Sequence, residues 1–289
     1  MEKYKQLYKS LYKHEGYCYL NGEILLIKRA YISPLDSGFM RGYCVTDFLR
    51  TYNGKVFMFD EHYKRFQNGA KLLGLKIPES QDKILQIINI ILKKNKKYVP
   101  GDFKIKILLS GGIGKTDLDI SKYPTLFIYA SAIPVYSDKL YKNGAKLITY
   151  KYHRYLPEIK TSNYIEAIRQ QKNINKEGAI EVLYTGDKYV SECSTSNFFV
   201  FKNGKLINNT QGILEGITRL RMLQIAKKFF PIIERPITIK ELKNIDEAFI
   251  TSTTKEIMPI VQIDNIKIGN GKVGLKTKKL MEEFKKSIK

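Results

Sequence analysis

The spacing of apolar and polar positions changes along the chain, and each change predicts an element. Apolar-rich runs at 17–20 and 24–28 flank Asn21-Gly22, and runs at 45–52 and 55–59 flank Asn53-Gly54. Asn-Gly suits the left-handed positions of a tight turn, so both pairs predict β-hairpins. From 60 to 73 the period lengthens. Tyr63, Phe66, Ala70 and Leu73 recur at helical spacing, and a second helix is predicted over 78–94. Strands follow at 103–109 and 125–132. Between them, Ser110-Gly111-Gly112-Ile113-Gly114-Lys115-Thr116 resembles a phosphate-cradling loop only on the surface. The glycine spacing is wrong and no helix follows, so the segment reads as a loop over a site.

The stretch 134–144 holds Pro134, Ser137, Asp138, Asn143 and Gly144 and reads as a linker. Beyond it a strand is predicted at 145–151 and a helix at 163–177. Strands at 179–184, 188–190 and 197–202 follow, the last turning at Asn203-Gly204. A helix opens at Gly216 and ends near Phe230, and 272–286 reads as a surface helix. Strand-rich halves with helices packed on them predict an α/β (α+β) chain of two domains. These are an N-terminal α+β domain over 1–133 and a C-terminal α/β domain over 145–289, with the site in their cleft.

Composition changes this picture little. A hydrophobic fraction of 43% in 289 residues supports real cores. There is no apolar run long enough for a transmembrane helix, and the Lys- and Tyr-rich start has no signal-like core. Cys18, Cys44 and Cys193 are too few and too scattered for a disulfide framework and suit a reducing cytoplasm. The three histidines lack paired spacing, so no metal site is expected. The net charge of +22 raises the alternative of a basic nucleic-acid-binding protein. Only nine of the 50 basic residues are arginine, and the lysines are spread through every segment, which favours a solvated surface without a nucleic-acid partner.

Candidate chemistry lies mostly in the second half. Lys160 stands in Leu156-Pro157-Glu158-Ile159-Lys160-Thr161-Ser162-Asn163. Downstream come Glu192 in Ser191-Glu192-Cys193-Ser194-Thr195-Ser196-Asn197-Phe198, then Leu214-Glu215-Gly216-Ile217-Thr218-Arg219, then Thr251-Ser252-Thr253-Thr254-Lys255-Glu256-Ile257. This supplies an amine, a carboxylate, a helix start with hydroxyls, and a second hydroxyl cluster. The inventory suits a cofactor with an aldehyde, a basic ring nitrogen and a phosphate, such as pyridoxal 5'-phosphate. Taken singly, Lys160 reads as a surface lysine, Glu192 as a strand-end acid and Gly216 to Thr218 as an ordinary helix start.

In register, the motifs Lys-x-x-Asn, Glu-x-x-x-x-Asn-Phe, Gly-Ile-Thr-Arg and Ser-Thr-x-x-Glu-Ile resemble the fold-type IV (class IV) pyridoxal-phosphate enzymes. That family includes branched-chain and D-amino-acid aminotransferases and aminodeoxychorismate lyases. The resemblance runs from about Tyr31 to Phe284, with Asp60-Glu61-His62 and Arg65 as a further match. It implies a two-domain fold of the D-amino-acid aminotransferase type and a Schiff-base lysine at Lys160. It pairs Glu192 with the ring nitrogen and stacks Leu214 on the ring. Arg65, Gly216, Ile217, Thr218, Ser252 and Thr253 would bind the phosphate, and Tyr164 the ring's phenolic oxygen. Arg41, Thr46 and Thr254 would meet the substrate.

Departures from the family's subgroups bear on substrate. Lys115-Thr116-Asp117-Leu118 lacks the Arg-x-His that one D-amino-acid subgroup places there, and Thr46 stands where that subgroup has Tyr. Met40-Arg41-Gly42-Tyr43 is similar to a second D-amino-acid subgroup, and Asp47 stands where the lyases have Thr. The resemblance therefore implies a cytoplasmic homodimeric transaminase acting on aliphatic, branched-chain-like amino acids and 2-oxo acids. D-amino-acid transamination and aminodeoxychorismate lysis are the alternatives.

Overall fold

A computed structural model describes residues 16–116 and 118–288. It separates into two compact units, one of Met1–Ile133 with Ile159–Ser162, the other of Pro134–Glu158 with Asn163–Lys289.

The first unit is built on an antiparallel six-stranded sheet. Its strands are β1 (Tyr17–Leu20), β2 (Glu23–Leu26), β3 (Cys44–Tyr52), β4 (Lys55–Val56), β5 (Phe103–Ser110) and β6 (Thr125–Ala132), in the order β2-β1-β6-β5-β3-β4. Both Asn-Gly pairs form the predicted turns, all four residues at positive φ. β5 alternates as far as Leu109, burying Phe103, Ile105, Ile107 and Leu109 while Lys104, Lys106 and Leu108 stay half-buried. This is the pattern of a sheet with one face on a core. Short helix α1 (Ser37–Arg41) precedes β3. Helices α2 (Phe59–Leu72) and α3 (Gln81–Asn95) follow it and bury Phe66, Ala70, Ile84, Ile88 and Ile91.

A return segment completes this unit. The Thr46 N–H donates to the Lys160 carbonyl at 2.7 Å, the Ser162 N–H donates to the Cys44 carbonyl at 3.3 Å, and Val45 bridges Thr161. Ile159–Ser162 thus lies along the edge of β3 that β5 does not use. Lys160 belongs with the strands of 1–133, although it stands inside the sequence span 145–289.

The second unit carries a mixed sheet. Strands β7 (Ala145–Lys151), β8 (Glu181–Thr185), β9 (Tyr189–Cys193), β10 (Asn197–Lys202), β11 (Lys205–Asn208), β12 (Ile232–Glu234), β13 (Ile237–Thr238), β14 (Glu247–Ser252) and β15 (Glu256–Ile263) form its body. β7 runs parallel to β8 and β15, whereas β10 is antiparallel to β11 and β14. Leu147, Leu183, Phe198, Val200, Ile250 and Met258 meet in the core. The span 134–144 holds helix α4 (Asp138–Asn143), whose N-cap Ser137 accepts from the Lys139 N–H, and it belongs to this unit. The single helix predicted at 163–177 is two short ones, α5 (Ile165–Arg169) and α6 (Gln171–Lys176), joined at Gln170. Helix α7 (Ile217–Ala226) begins right after Gly216, as the motif predicts. The tail helix α8 (Leu275–Lys286) buries Leu280 and Phe284 and is more than a surface element.

Candidate active site

In the first unit the site grows from β3 and α2. Alternation along β3 sends Val45, Asp47 and Leu49 to the inner face and Cys44, Thr46 and Phe48 to the other. Asp47 is therefore a fully buried carboxylate aimed at helix α2, where His62 and Arg65 share one face at i, i+3. Asp47 Oδ1 lies 2.7 Å from His62 Nδ1. Arg65 donates from Nε to Oδ2 and from Nη2 to Oδ1, both at 2.9 Å, in a bidentate fork. Burial alone would raise the Asp47 pKa, but the charges and hydrogen bonds of Arg65 and His62 win and hold it below the usual carboxylate range. Burial pushes the His62 pKa down, and the positive charges of Arg65 and Lys160 assist against the pull of Asp47. His62 is then a neutral imidazole whose Nδ1–H donates to Asp47.

Lys160 is half-buried, with Nζ 4.9 Å from the Phe48 ring centroid. Thr46 is buried, and its hydroxyl donates to the Lys160 carbonyl at 3.2 Å, so it acts on the lysine's backbone. On the same sheet face, a cavity of about 340 Å³ is lined by Ile32, Phe39, Cys44, Leu108, Phe127 and Ser162, among others. Arg41 ends helix α1, exposed to solvent, with Nη1 donating to the Met40 carbonyl.

In the second unit, Glu192 on β9 is 3% exposed, not the surface acid its position suggests. Arg154 Nη1 donates to its Oε1 at 2.6 Å. Asn197 Nδ2 and the Leu214 N–H donate to Oε2 at 3.0 and 3.1 Å. Asn197 Nδ2 also donates to the Leu214 carbonyl at 2.7 Å, which ties the Glu-x-x-x-x-Asn motif to the start of the Gly-Ile-Thr-Arg motif. A Cβ on Gly216 would meet Asn197 Oδ1, so the glycine permits this approach. Leu214, Ile217 and Thr218 are buried, and α7 has no side-chain cap on its first N–H groups. Arg219 is 8% exposed, and its Nε has no partner among the described residues. Ser252, Thr253 and Thr254 are half-buried at the turn between β14 and β15. Tyr164 and Arg154 line one small polar recess with Tyr152, Glu166 and Ser194.

The amino-transferase class IV family matches residues 45–263. The chain belongs to the class IV aminotransferases. A putative branched-chain-amino-acid aminotransferase of Methanocaldococcus jannaschii is 34% identical over 92% of this chain and 94% of its own length. A D-alanine aminotransferase of Staphylococcus aureus is 30% identical over 93% of this chain and 97% of its own. A T.th. branched-chain amino acid aminotransferase, solved with pyridoxamine 5'-phosphate, superimposes with a TM-score of 0.86 at 26% identity, covering 95% of this chain and 94% of the other. The expected family, its mixed α/β architecture and its enzymatic class therefore stand.

Sequence reasoning about this aminotransferase did not anticipate three contacts. Asp47 has a legible signal, an acid at an inward position of an apolar strand. The i, i+3 spacing of His62 and Arg65 carries a second signal, since one buried carboxylate can serve both. Arg154 has none: it sits in an irregular segment six residues before Lys160, and only the fold brings it to Glu192.

Proposed function

We propose that this chain is a pyridoxal 5'-phosphate-dependent transaminase that moves an amino group between an aliphatic, branched-chain-like amino acid and a 2-oxo acid. The observation that carries this reading is the placement of Lys160. Its amine stands over Phe48, its charge is felt by His62 of the Asp47–His62–Arg65 cluster, and its segment is held by backbone hydrogen bonds to β3. The donor set fits the cofactor. Lys160 offers the amine for its aldehyde carbon. Glu192, a buried carboxylate paired with Arg154, suits a protonated ring nitrogen. The uncapped start of α7 with Thr218, the half-buried hydroxyls of Ser252 and Thr253, and Arg65 suit its phosphate. Leu214 offers an apolar surface for the ring, and Tyr164 a hydroxyl for its phenolic oxygen.

When bound, the cofactor supplies a carbonyl for the amino group and a ring that accepts electrons. The chain's own residues do the rest. Lys160 Nζ takes and returns the α-proton of the substrate. Glu192 keeps its charge at one point because three donors fix both of its oxygens. Asp47 keeps Arg65 and His62 in fixed orientation. The apolar lining of the cavity near Cys44 and Phe127 favours an aliphatic side chain. Arg41 and Thr254 are assigned to the substrate, with Thr46 acting through its hold on Lys160.

The reading includes a homodimer and a cytoplasmic compartment. Tyr31, Ile32, Leu35, Phe39 and Met40 are exposed in one short segment, the kind of patch a second copy would cover. The three cysteines are free and buried, as suits a reducing environment.

Borohydride reduction of the holoenzyme, followed by peptide mass spectrometry, tests the core of this reading. The phosphopyridoxyl group is expected on the peptide containing Lys160, and label on another lysine would overturn the assignment. An amino-donor panel of both enantiomers, read as conversion of the cofactor absorbance, then fixes substrate. L-leucine, L-isoleucine and L-valine are expected to react fastest. Faster conversion with D-alanine would replace the branched-chain reading by the D-amino-acid one.

A further inference from the structure

Behind the hydroxyl turn of the second unit lies an ion pair that the chemistry above does not use. Lys255 Nζ and Glu181 Oε1 are 2.7 Å apart, with side chains 6% and 4% exposed. Glu181 opens β8 and accepts from Ser194 Oγ at 3.1 Å, the Thr195 N–H at 2.7 Å and Ser196 Oγ at 2.5 Å. Lys255 closes the turn from Ser252. Its N–H donates to Ser252 Oγ at 3.3 Å, its carbonyl accepts from Tyr141 Oη at 3.2 Å, and its Nζ donates to Thr195 Oγ1 at 3.0 Å. One buried carboxylate and one buried ammonium thus tie together two turns far apart in sequence. One is Ser194–Ser196, which follows Glu192. The other is Ser252–Lys255, which carries the candidate phosphate hydroxyls.

A buried ion pair is weak support for stability, because well-packed apolar residues of similar volume stabilise about as well. This pair offers aim instead. Two hydroxyls and one N–H point at the Glu181 carboxylate, and the lysine, through Thr195 Oγ1 and its own turn, carries that order onward. The ammonium is not an electrostatic ligand for a phosphate. Its charge is offset by a carboxylate at hydrogen-bond distance, and both partners stay ionised.

We propose that Glu181 and Lys255 are positioning residues that hold the Ser252–Lys255 turn in the geometry that binds the cofactor's phosphate. This rests on the reading of that turn as a phosphate site. It concerns two residues at positions that the family motifs leave open.

Equilibrium dialysis of the apoprotein against pyridoxal 5'-phosphate and against pyridoxal, which lacks the phosphate, separates the possibilities without measuring turnover. Two variants are compared with the unaltered chain: Glu181→Gln, and Glu181→Met with Lys255→Met, the second keeping the buried volume without charge. Both are expected to bind pyridoxal 5'-phosphate at least about tenfold more weakly and pyridoxal within about threefold of the unaltered chain. The double variant is expected to unfold within a few degrees of it. Glu181→Gln is informative in sign, since it leaves an unbalanced positive charge beside the turn. Tighter cofactor binding by this variant would make Lys255 an electrostatic ligand and overturn the positioning role. Unchanged cofactor affinity in the folded double variant would overturn it too, as would equal losses for both ligands. If the unaltered chain binds the two ligands equally, the phosphate reading of the turn fails, and this inference with it.

Discussion

At the scale of single residues, the Asp47–His62–Arg65 cluster alters what an arginine substitution reports. If Arg65 served only as the proposed phosphate fork, its loss would weaken cofactor binding alone. In the folded chain the same guanidinium balances a carboxylate that is 0% exposed. Arg65→Ala would leave that charge buried with a neutral imidazole as its remaining side-chain partner, at a cost of about 3–5 kcal/mol in stability. Adding Asp47→Asn is expected to recover a large part of this, because the stranded charge is gone. Urea unfolding of the two single variants and the double variant measures the coupling. Additive effects would show that the fork does not carry the stability. Cofactor loss in Arg65→Ala should be compared with the double variant, in which stability and phosphate binding are no longer confounded.

At the scale of elements, the start of α7 depends on a close approach that a single methyl group would prevent. Gly216 has φ −67°, which any residue adopts, so its requirement is steric and not conformational. An added Cβ would collide with Asn197 Oδ1, and Asn197 joins Glu192 to Leu214. Gly216→Ala is therefore expected to destabilise by about 1–3 kcal/mol, the range for overpacking a close-packed site. Shortening the opposing side chain, Gly216→Ala with Asn197→Ser, should restore part of that stability in thermal unfolding. It should not restore cofactor retention on dialysis, because the amide that holds Glu192 is missing. Recovery of both would mean that Asn197 serves packing alone.

For the whole molecule, three buried groups, Asp47, Glu181 and His62, set the response to acid. Asp47 and Glu181 have folded pKa values below their ordinary ones: burial opposes this in each, and the attached cations and donors overcome it. Their contribution is fully present above the unfolded carboxylate pKa, near about 4, and is lost as pH falls below it through the lower folded values. The pKa of His62 is also lowered, by burial first. An unfolded histidine takes up its proton near about pH 6.5, so the folded state begins to lose stability already below that point. The unfolding midpoint is therefore expected to fall from about pH 6.5 downward, well before the carboxylates titrate. His62→Asn, which keeps a donor toward Asp47 and removes the titration, should flatten the curve between about pH 6.5 and 5. An unchanged slope in that interval would mean that His62 does not control it.

Much of this protein is determined locally and can be read from the chain. The Asn-Gly turns need left-handed backbone, the alternation of β5 needs one dry face, and the helix after Gly216 follows from its motif. The four family motifs are short contiguous runs, so their register identifies the family before any contact is known. The tertiary structure decides what depends on residues distant in sequence. Ile159–Ser162 returns to the edge of β3 because its backbone groups find partners at Cys44 and Thr46, which takes Lys160 out of the span where sequence order puts it. Arg154 meets Glu192, and Lys255 meets Glu181, across gaps of 38 and 74 positions that no periodicity encodes. A buried charge must have its partner from wherever the fold can bring one. Residue type can show that such a partner is needed, as the acid at Asp47 does, but only the packed chain decides which residue it is.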